Sequence, residues 1–168
     1  GTNGNPSYAE HINDRVAVSS IIDILRLRNL QSEMIEEVRD YGQVLSVISP
    51  LQTSYDQYKT WAGNKFGATA NKQTEDVLCN QDIEFSLPLR SGLLMNGQLI
   101  NLASLGGLSL SILLNNDQQV LIGSGAASNN GSYVVSDVFL SGDYFVYDSP
   151  QPPLSQVIQY PAYNNFMN

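Results

Sequence analysis

The sequence of 168 residues contains one cysteine, one histidine and few charged residues. A disulfide needs two cysteines, so the single thiol of Cys79 excludes an internal cystine framework, and the scarcity of Cys and His excludes a four-ligand zinc site built from those residue types. No run of apolar residues approaches the roughly 18 residues that a membrane span requires. The sequence therefore predicts a globular protein held together by packing, with no membrane span.

Basic residues are also few. Lys and Arg number 8 against 16 Asp and Glu, which gives a formal net charge of −8, and Arg90 is the last basic residue of the chain. The average surface field would repel phosphate groups, so we expect no direct contact with nucleic acid. The weakly charged second half could pack against neighbouring subunits without desolvating many ions.

Alternating apolar and polar residues run through much of the chain and are typical of strands with one buried face. This pattern predicts strands at 16–28, 83–89, 108–114, 119–122, 133–140 and 144–147. Turn-forming residues separate most of these segments.

One segment, about residues 32–48, instead has apolar residues at spacings of three and four, which indicates a short helix. Ser32 is the expected N-cap and Pro50 the expected stop. The apolar stripe consists of Met34, Val38, Tyr41, Leu45 and Ile48.

Several strands with one inserted helix favour an all-β fold, an antiparallel β-sandwich or barrel. We expect residues 1–15 to be an irregular leader and residues 16–148 to form the domain. The last segment, 149–168, is rich in proline and is expected to be a linker toward a second domain.

The residues that most often carry catalysis have no partner motif in this sequence. His11 lies in the expected leader and is interpreted as a solvent-exposed residue rather than as the base of a triad. Cys79 has no basic neighbour closer in sequence than Lys72 and is interpreted as a half-buried structural thiol. Neither residue is predicted to be catalytic.

Acidic residues form two clusters that could in principle serve glycoside hydrolysis or bind a hard cation. Neither cluster has the spacing of a known ligand loop. We interpret the first as the polar face of the helix and the second as loop charge beside a strand. The clusters are Glu33, Glu36 and Glu37, and Glu75, Asp76, Asp82 and Glu84.

Three further motifs have an ordinary structural interpretation beside a functional one. Gly106 and Gly107 precede a strand rather than a helix, which indicates a bend or a close backbone approach instead of a phosphate loop. Residues 130–132 have the form of a glycosylation acceptor, which is a short and unspecific signal. The aromatic residues Tyr55, Tyr58 and Trp61 could stack on sugars, although packing in a core or an interface is the more common role. No catalytic, cofactor-binding or metal-binding residue is predicted.

The order of the segments resembles a known family. Three parts of the chain are similar to successive parts of the first jelly roll in double jelly-roll major capsid proteins of polinton-like viruses, virophages and their larger DNA-virus relatives. The first is the run from Ile21 to Leu45, a predicted strand and then a predicted helix containing EMIEEVRDYGQVLS. The others are FSLPLRSGLLMNGQLINLASLGGLSLSILL (85–114) and SYVVSDVFLSGDYFVYD (132–148). Together they extend over most of residues 16–148. The second jelly roll of that family is absent from this sequence.

The resemblance implies an antiparallel jelly-roll sandwich and a structural role in the virion. Such proteins are made inside the host cell and self-assemble, typically as trimeric capsomers, into an icosahedral shell. The implied partners are other copies of the chain and neighbouring capsid proteins such as the penton protein, and no enzymatic activity or cofactor is implied. Two alternatives stay open: a carbohydrate-binding β-sandwich module that uses the aromatic residues named above, and a glycosidase that uses the second acidic cluster.

Overall fold

The computed structural model describes residues 10–12, 17–52, 54, 56, 75–77, 84–123, 132–146 and 160. In chain order the strands are β1 (Glu10–Ile12), β2 (Ile22–Arg28), β3 (Met34–Val38), β4 (Glu75–Val77), β5 (Ser109–Leu114) and β6 (Leu121–Gly123). The helices are a 3-10 helix at Ala17–Ile21, helix α1 at Tyr41–Gln52, and two short helices at Leu102–Leu105 and Asp117–Val120.

The strands form two antiparallel sheets of three strands each. In the first sheet β2 lies between β3 and β5, and β2 joins strands far apart in sequence, since Leu27 pairs with both Glu36 and Leu110. In the second sheet β1 lies between β4 and β6. The β-rich antiparallel architecture expected from the sequence is confirmed at this level, whereas the jelly-roll sandwich stays a prediction.

The alternation in β2 and β5 produces the strands it predicts. In β2 the side chains of Leu25 and Leu27 are buried, whereas those of Arg26 and Arg28 lie on the opposite, outward face. The predicted strand at 108–114 is confirmed as β5. The predicted strand at 16–28 is confirmed only from Ile22 onward, because the residues before it form the 3-10 helix.

The predicted helix at 32–48 is wrong in its first half. Residues 34–38 form strand β3, and α1 begins only at Tyr41, after Asp40 has turned the chain with a φ of 49°. The helical periodicity was a wrong guide here. The inward position between Met34 and Val38 is occupied by the charged residue Glu36, so the apolar and polar residues of this strand do not alternate.

Both expected helix ends are therefore also wrong. Ser32 lies in the turn between β2 and β3 with a φ of 68° and caps no helix. Helix α1 continues through Pro50 to Gln52. A proline in the last turn removes only one late hydrogen bond, so its cost there is smaller than in the middle of a helix.

Other predicted strands are corrected as well. Residues 84–90 and 132–146 are not in a sheet, and the predicted strand at 119–122 is divided between the end of a short helix and β6. A segment becomes a strand of a sheet only where another strand lies beside it. The alternation of apolar and polar residues does not specify that neighbour. The expected leader at 1–15 contains β1, whose backbone pairs with two distant strands; its three residues carry little local signal.

Two clusters of buried residues form the core in the described part of the chain. The first joins β2, β3 and α1 and consists of Ile22, Leu25, Val38, Tyr41 and Leu45. The second joins the 3-10 helix to the short helix before β6 and consists of Val18, Ile21, Val120 and Leu121. Leu87 packs against both clusters, so the half-buried face of 84–90 links them although the segment pairs with no strand.

The bend expected at Gly106 and Gly107 is confirmed. Both glycines have positive φ, 75° and 91°, and Gly106 ends the short helix Leu102–Leu105. The turn between β2 and β3 lies directly over them: the amide of Leu30 donates to the carbonyl of Gly106 at 3.3 Å. A Cβ atom at Gly107 would lie 2.5 Å from the Leu30 side chain. The close approach of two backbones therefore requires residues without side chains here.

Candidate functional site

The turn that follows residues 84–90 is held by two side chains from the first sheet and α1. The carboxylate of Glu36 accepts hydrogen bonds from the amides of Gly92 and Leu93 at 2.8 and 3.0 Å. The hydroxyl of Tyr41 accepts one from the amide of Arg90 at 2.7 Å. We call residues 90–93 the clamped turn.

The hydrogen bonds of the clamp lie in the interior of the protein. Glu36 is 5% exposed, and the clamped turn is buried throughout. Because a buried amide without an acceptor is costly, each of the two side chains satisfies donors that water cannot reach. Desolvation, opposed by the hydrogen bond from Arg90, raises the pKa of Tyr41 to about 12, so the phenol stays protonated at neutral pH.

The interpretation of Glu33, Glu36 and Glu37 as one polar helix face is wrong. They lie on or beside β3, and each has a different environment. Glu33 is exposed and accepts from the side-chain amide of Asn29 at 2.6 Å. Glu36 is buried in the clamp, whereas Glu37 lies on the outward face. Nothing in the local sequence separates the three roles, because their partners lie elsewhere in the chain.

On the outward face, Glu37 accepts hydrogen bonds from Arg26 and Arg39, both at 2.5 Å. Arg26 and Glu37 are cross-strand partners in the register of β2 and β3. The hydrogen bond from Arg26, followed by that from Arg39, lowers the pKa of the Glu37 carboxyl. We call these three residues the trio. In it, the carboxylate of Glu37 is the acidic partner of Arg26 within the sheet.

A cleft of about 320 Å³ lies beside this trio. Its floor consists of Arg26 and Arg28 on β2 and of Ser111 and Ser109 on β5, and these residues are paired across the two strands in that order. Residues of the turn between β2 and β3 complete its lining. We call this feature the Arg28 cleft.

The segment at 132–146 begins on the second core cluster and then leaves it. Tyr133 and Val135 pack against that cluster, the amide of Tyr133 donates to the Asp117 carboxylate at 3.2 Å, and the Tyr133 hydroxyl donates to the carbonyl of Asn115. Desolvation, followed by the charge of Asp117, raises the pKa of Tyr133. Residues 132–135 are therefore anchored.

Residues 136–146, which we call the apolar arm, are exposed throughout. The exposed fraction of its large hydrophobic side chains is between 70% and 83%. They are Val138, Phe139, Leu140, Tyr144, Phe145 and Val146. Exposed apolar surface of this kind is typical of surfaces that contact other molecules.

A contact also comes from the proline-rich segment expected to be a linker. The hydroxyl of Tyr160 donates to the carbonyl of Ile35 on β3 at 2.9 Å. Desolvation, followed by the charge of Glu36, raises the pKa of Tyr160. At this one described residue the segment lies against the first sheet.

Of the remaining sequence candidates, the structure brings His11 and Asp76 together as backbone partners on neighbouring strands. His11 belongs to β1 and pairs with Ile122 and Asp76 along the backbone, while Glu84 is exposed in the segment before the clamped turn. Outside the described residues lie Tyr55, Tyr58, Trp61, Cys79, Asp82, Asn130 and Gly131.

The described residues offer neither a metal-binding cluster nor a membrane-spanning helix. They contain no group of three or more His, Cys, Asp or Glu side chains placed to hold a metal ion. Within the same residues, no helix has both the length and the apolar character to cross a membrane.

Sequence reasoning missed the clamp, the Arg28 cleft and the separation of the three glutamates. The only available signal was an acidic residue among the apolar residues of 34–38, which fits a helix equally well. Comparisons of the chain with protein-family models, with curated proteins and with solved structures give no match.

Proposed function

We propose that this chain is a structural protein of a viral capsid, a jelly-roll domain of a major capsid protein that self-assembles into an icosahedral shell. The observation that carries the proposal is the apolar arm. Six large hydrophobic side chains lie at least 70% exposed within eleven residues, which a subunit that functions alone would have to keep in water at a large cost. A neighbouring subunit would bury them.

The chemistry of the rest of the chain supports the same role. The chain carries a net charge of −8, and residues beyond Arg90 add acids but no bases. A weakly charged surface rich in Ser, Asn and Gly desolvates at low cost when subunits meet. The described titratable groups with shifted pKa values serve internal contacts, as at Tyr41 and Glu37, and do not form an acid and base pair facing a cleft.

The segments that carry the family resemblance also have a common structural basis. Residues 33–46 provide Glu36 and Tyr41, and residues 85–114 provide the clamped turn that these side chains hold. The two segments therefore depend on each other in the fold. In the proposal the chain occurs in the virion, its partners are further copies in trimeric capsomers and adjacent capsid proteins such as the penton protein, and it has no enzymatic role.

The proposal is tested by measuring the mass of the chain in solution by size-exclusion chromatography with light scattering, followed by negative-stain electron microscopy. We expect trimers and larger assemblies for the unmodified chain. The double variant Phe139→Ser/Phe145→Ser should shift the chain toward the 18.4 kDa monomer. It replaces one aromatic side chain in each half of the arm by a small polar one.

A matched control is Leu51→Ser, which changes a residue that is 81% exposed and belongs to α1 rather than to the arm. It should leave the assembly unchanged. If the unmodified chain is a monodisperse monomer with a cooperative thermal transition, the proposal is wrong.

A further inference from the structure

The Arg28 cleft contains a cation whose charge is not balanced by the sheet. In the neighbouring row Arg26 faces Glu37 on β3 and Ser111 on β5. In its own row Arg28 faces Met34 on β3 and Ser109 on β5, neither of which is acidic. The two arginines thus lie two residues apart on the same strand face, and only one of them has a carboxylate partner across the strands.

The hydrogen bonding of Arg28 agrees with this difference. Among the described residues, its buried Nε atom has no hydrogen-bond partner. A buried donor on a charged group is costly to leave unsatisfied. The acidic residue of the adjoining turn, Glu33, is engaged instead with Asn29, through its carboxylate at 2.6 Å and its amide at 2.8 Å. Among the described residues, the sheet and the adjoining turn thus supply no free carboxylate to the Arg28 guanidinium.

The geometry of the cleft indicates the kind of acceptor. A guanidinium group forms its strongest hydrogen bonds with a planar, doubly oxygenated anion such as a carboxylate. Leu30, which is 71% exposed, lines the same cleft. A ligand that combines a carboxylate with adjacent apolar surface would satisfy both features.

The apolar arm has this combination. It carries two acidic residues, Asp137 and Asp143, and no basic residue. Asp143 follows Gly142, where an added Cβ would meet no atom within 4 Å, and it lies between the apolar runs 138–140 and 144–146. Asp143 is thus exposed, with two aromatic residues directly after it in the chain.

We infer that the Arg28 cleft of one subunit binds the Asp143 carboxylate on the apolar arm of a second copy of this chain, with Leu30 covered by the adjoining aromatic residues. The inference rests on the proposed function, since it names the contact through which copies would meet. It commits to a head-to-tail contact, because the cleft and the arm are different surfaces of the chain. Such contacts can close into rings, which a trimer requires.

The test is a charge exchange in the full chain, read by light scattering. Arg28→Glu and Asp143→Arg should each weaken self-association by about tenfold or more, because each places like charges together. The double variant Arg28→Glu/Asp143→Arg should recover most of the loss. The matched control is Asp137→Arg, which changes the other acid of the arm. Combined with Arg28→Glu, it should not recover the self-association that Arg28→Glu loses.

A second measurement separates this inference from the proposed function. A capped, fluorescently labelled peptide of residues 136–146 is titrated with the chain, and with its Arg28→Gln variant, at a concentration where each is dissociated. The unmodified chain should bind the peptide at least about tenfold more tightly than the variant does, and a peptide with Asp143→Asn should lose the same factor. Circular dichroism of the Arg28→Gln variant checks that it is folded.

Each outcome has a distinct meaning. If the chain assembles but the charge exchange and the peptide show no dependence on Arg28 and Asp143, the inference is wrong and the proposed function stands. If the chain is a monomer that still binds the peptide through Arg28, the cleft is a carboxylate site and the capsid proposal is wrong. Equal binding of both peptides would show an apolar contact only and would overturn the inferred ion pair.

Discussion

The hydroxyl of Tyr41 accepts a hydrogen bond of 2.7 Å from the backbone amide of Arg90, 49 positions later in the chain. Tyr41 is 1% exposed and belongs to the first core cluster. The bond therefore joins the first turn of α1 to the clamped turn inside the core, and it fixes where the segment after residue 84 enters the fold.

Tyr41→Phe should lower the free energy of unfolding by about 1–2 kcal/mol, because it removes the acceptor of a buried amide while keeping the ring. Urea unfolding at pH 7.5 measures the loss. Tyr144→Phe changes an exposed ring and is the control, for which we expect a change within about 0.5 kcal/mol. An equal loss in both variants would contradict the assigned role of the Tyr41 hydroxyl.

Tyr41 should also make the free energy of unfolding depend on pH in the alkaline range. Its pKa is about 12 in the folded chain and near 10 when the chain is unfolded. The unfolded state loses the proton first as the pH rises, so the stabilisation is complete below about pH 10 and is lost progressively toward pH 12. Over that interval the unmodified chain should lose roughly 2–3 kcal/mol more than Tyr41→Phe does. Parallel curves from urea unfolding would show that Tyr41 is not the cause.

Substitution of Glu36 should lower the stability of the fold more than substitution of its neighbour Glu33. Glu36→Ala leaves the buried amides of Gly92 and Leu93 without acceptors and should destabilise the chain by about 2–4 kcal/mol, whereas Glu36→Gln retains one acceptor oxygen and should cost less. Denaturant unfolding measures both. Glu33→Ala, at an exposed position, is the control with a cost expected below about 1 kcal/mol. If Glu36→Ala were as mild as that control, the clamp would not hold the turn.

The glycines allow backbone strain and steric contact to be separated. Gly142→Ala should be nearly neutral, because the position has open space and no positive φ. Gly97→Ala should cost about 1 kcal/mol from its φ of 71° alone. Gly107→Ala should cost more than Gly97→Ala, because its Cβ would also displace Leu30. Thermal unfolding of the three variants should give that order, and a reversal between Gly97 and Gly107 would contradict the close approach.

The trio on the outward face predicts a small acid dependence. Because the arginines lower the pKa of Glu37, its contribution is present above the unfolded pKa near 4.5 and is lost as the pH falls through the lower folded value. Glu37→Gln should therefore flatten the decrease in stability below about pH 5. Since all three side chains are partly exposed, the difference should stay within about 1 kcal/mol. A steeper acid limb in the variant would contradict the lowered pKa.

Part of the fold could be predicted from the sequence because it depends on local alternation. Leu25 and Leu27 alternate with Arg26 and Arg28, and the corresponding strand forms. The bend at Gly106 and Gly107 was likewise predictable, since adjacent glycines before a strand indicate positive φ or close packing. In both cases neighbours along the chain determine the conformation.

The rest depends on partners that are distant in sequence. Glu36 looks like a helix-surface residue until Gly92 and Leu93 are brought to its carboxylate. The strand predicted at 133–140 has the right alternation, yet Tyr133 and Val135 pack on the second core cluster, and within the described ranges no strand pairs with the segment. The Arg28 cleft could not be predicted, because it depends on the register of β2 with both of its neighbours.

The most direct test of the central claim is native mass spectrometry of the protein isolated from its natural source, which reports the mass of the polypeptide and of the assembly together. The account predicts a homotrimer and multiples of it, as expected for a capsid building block. A monomer that does not associate at any accessible concentration would contradict the capsid proposal.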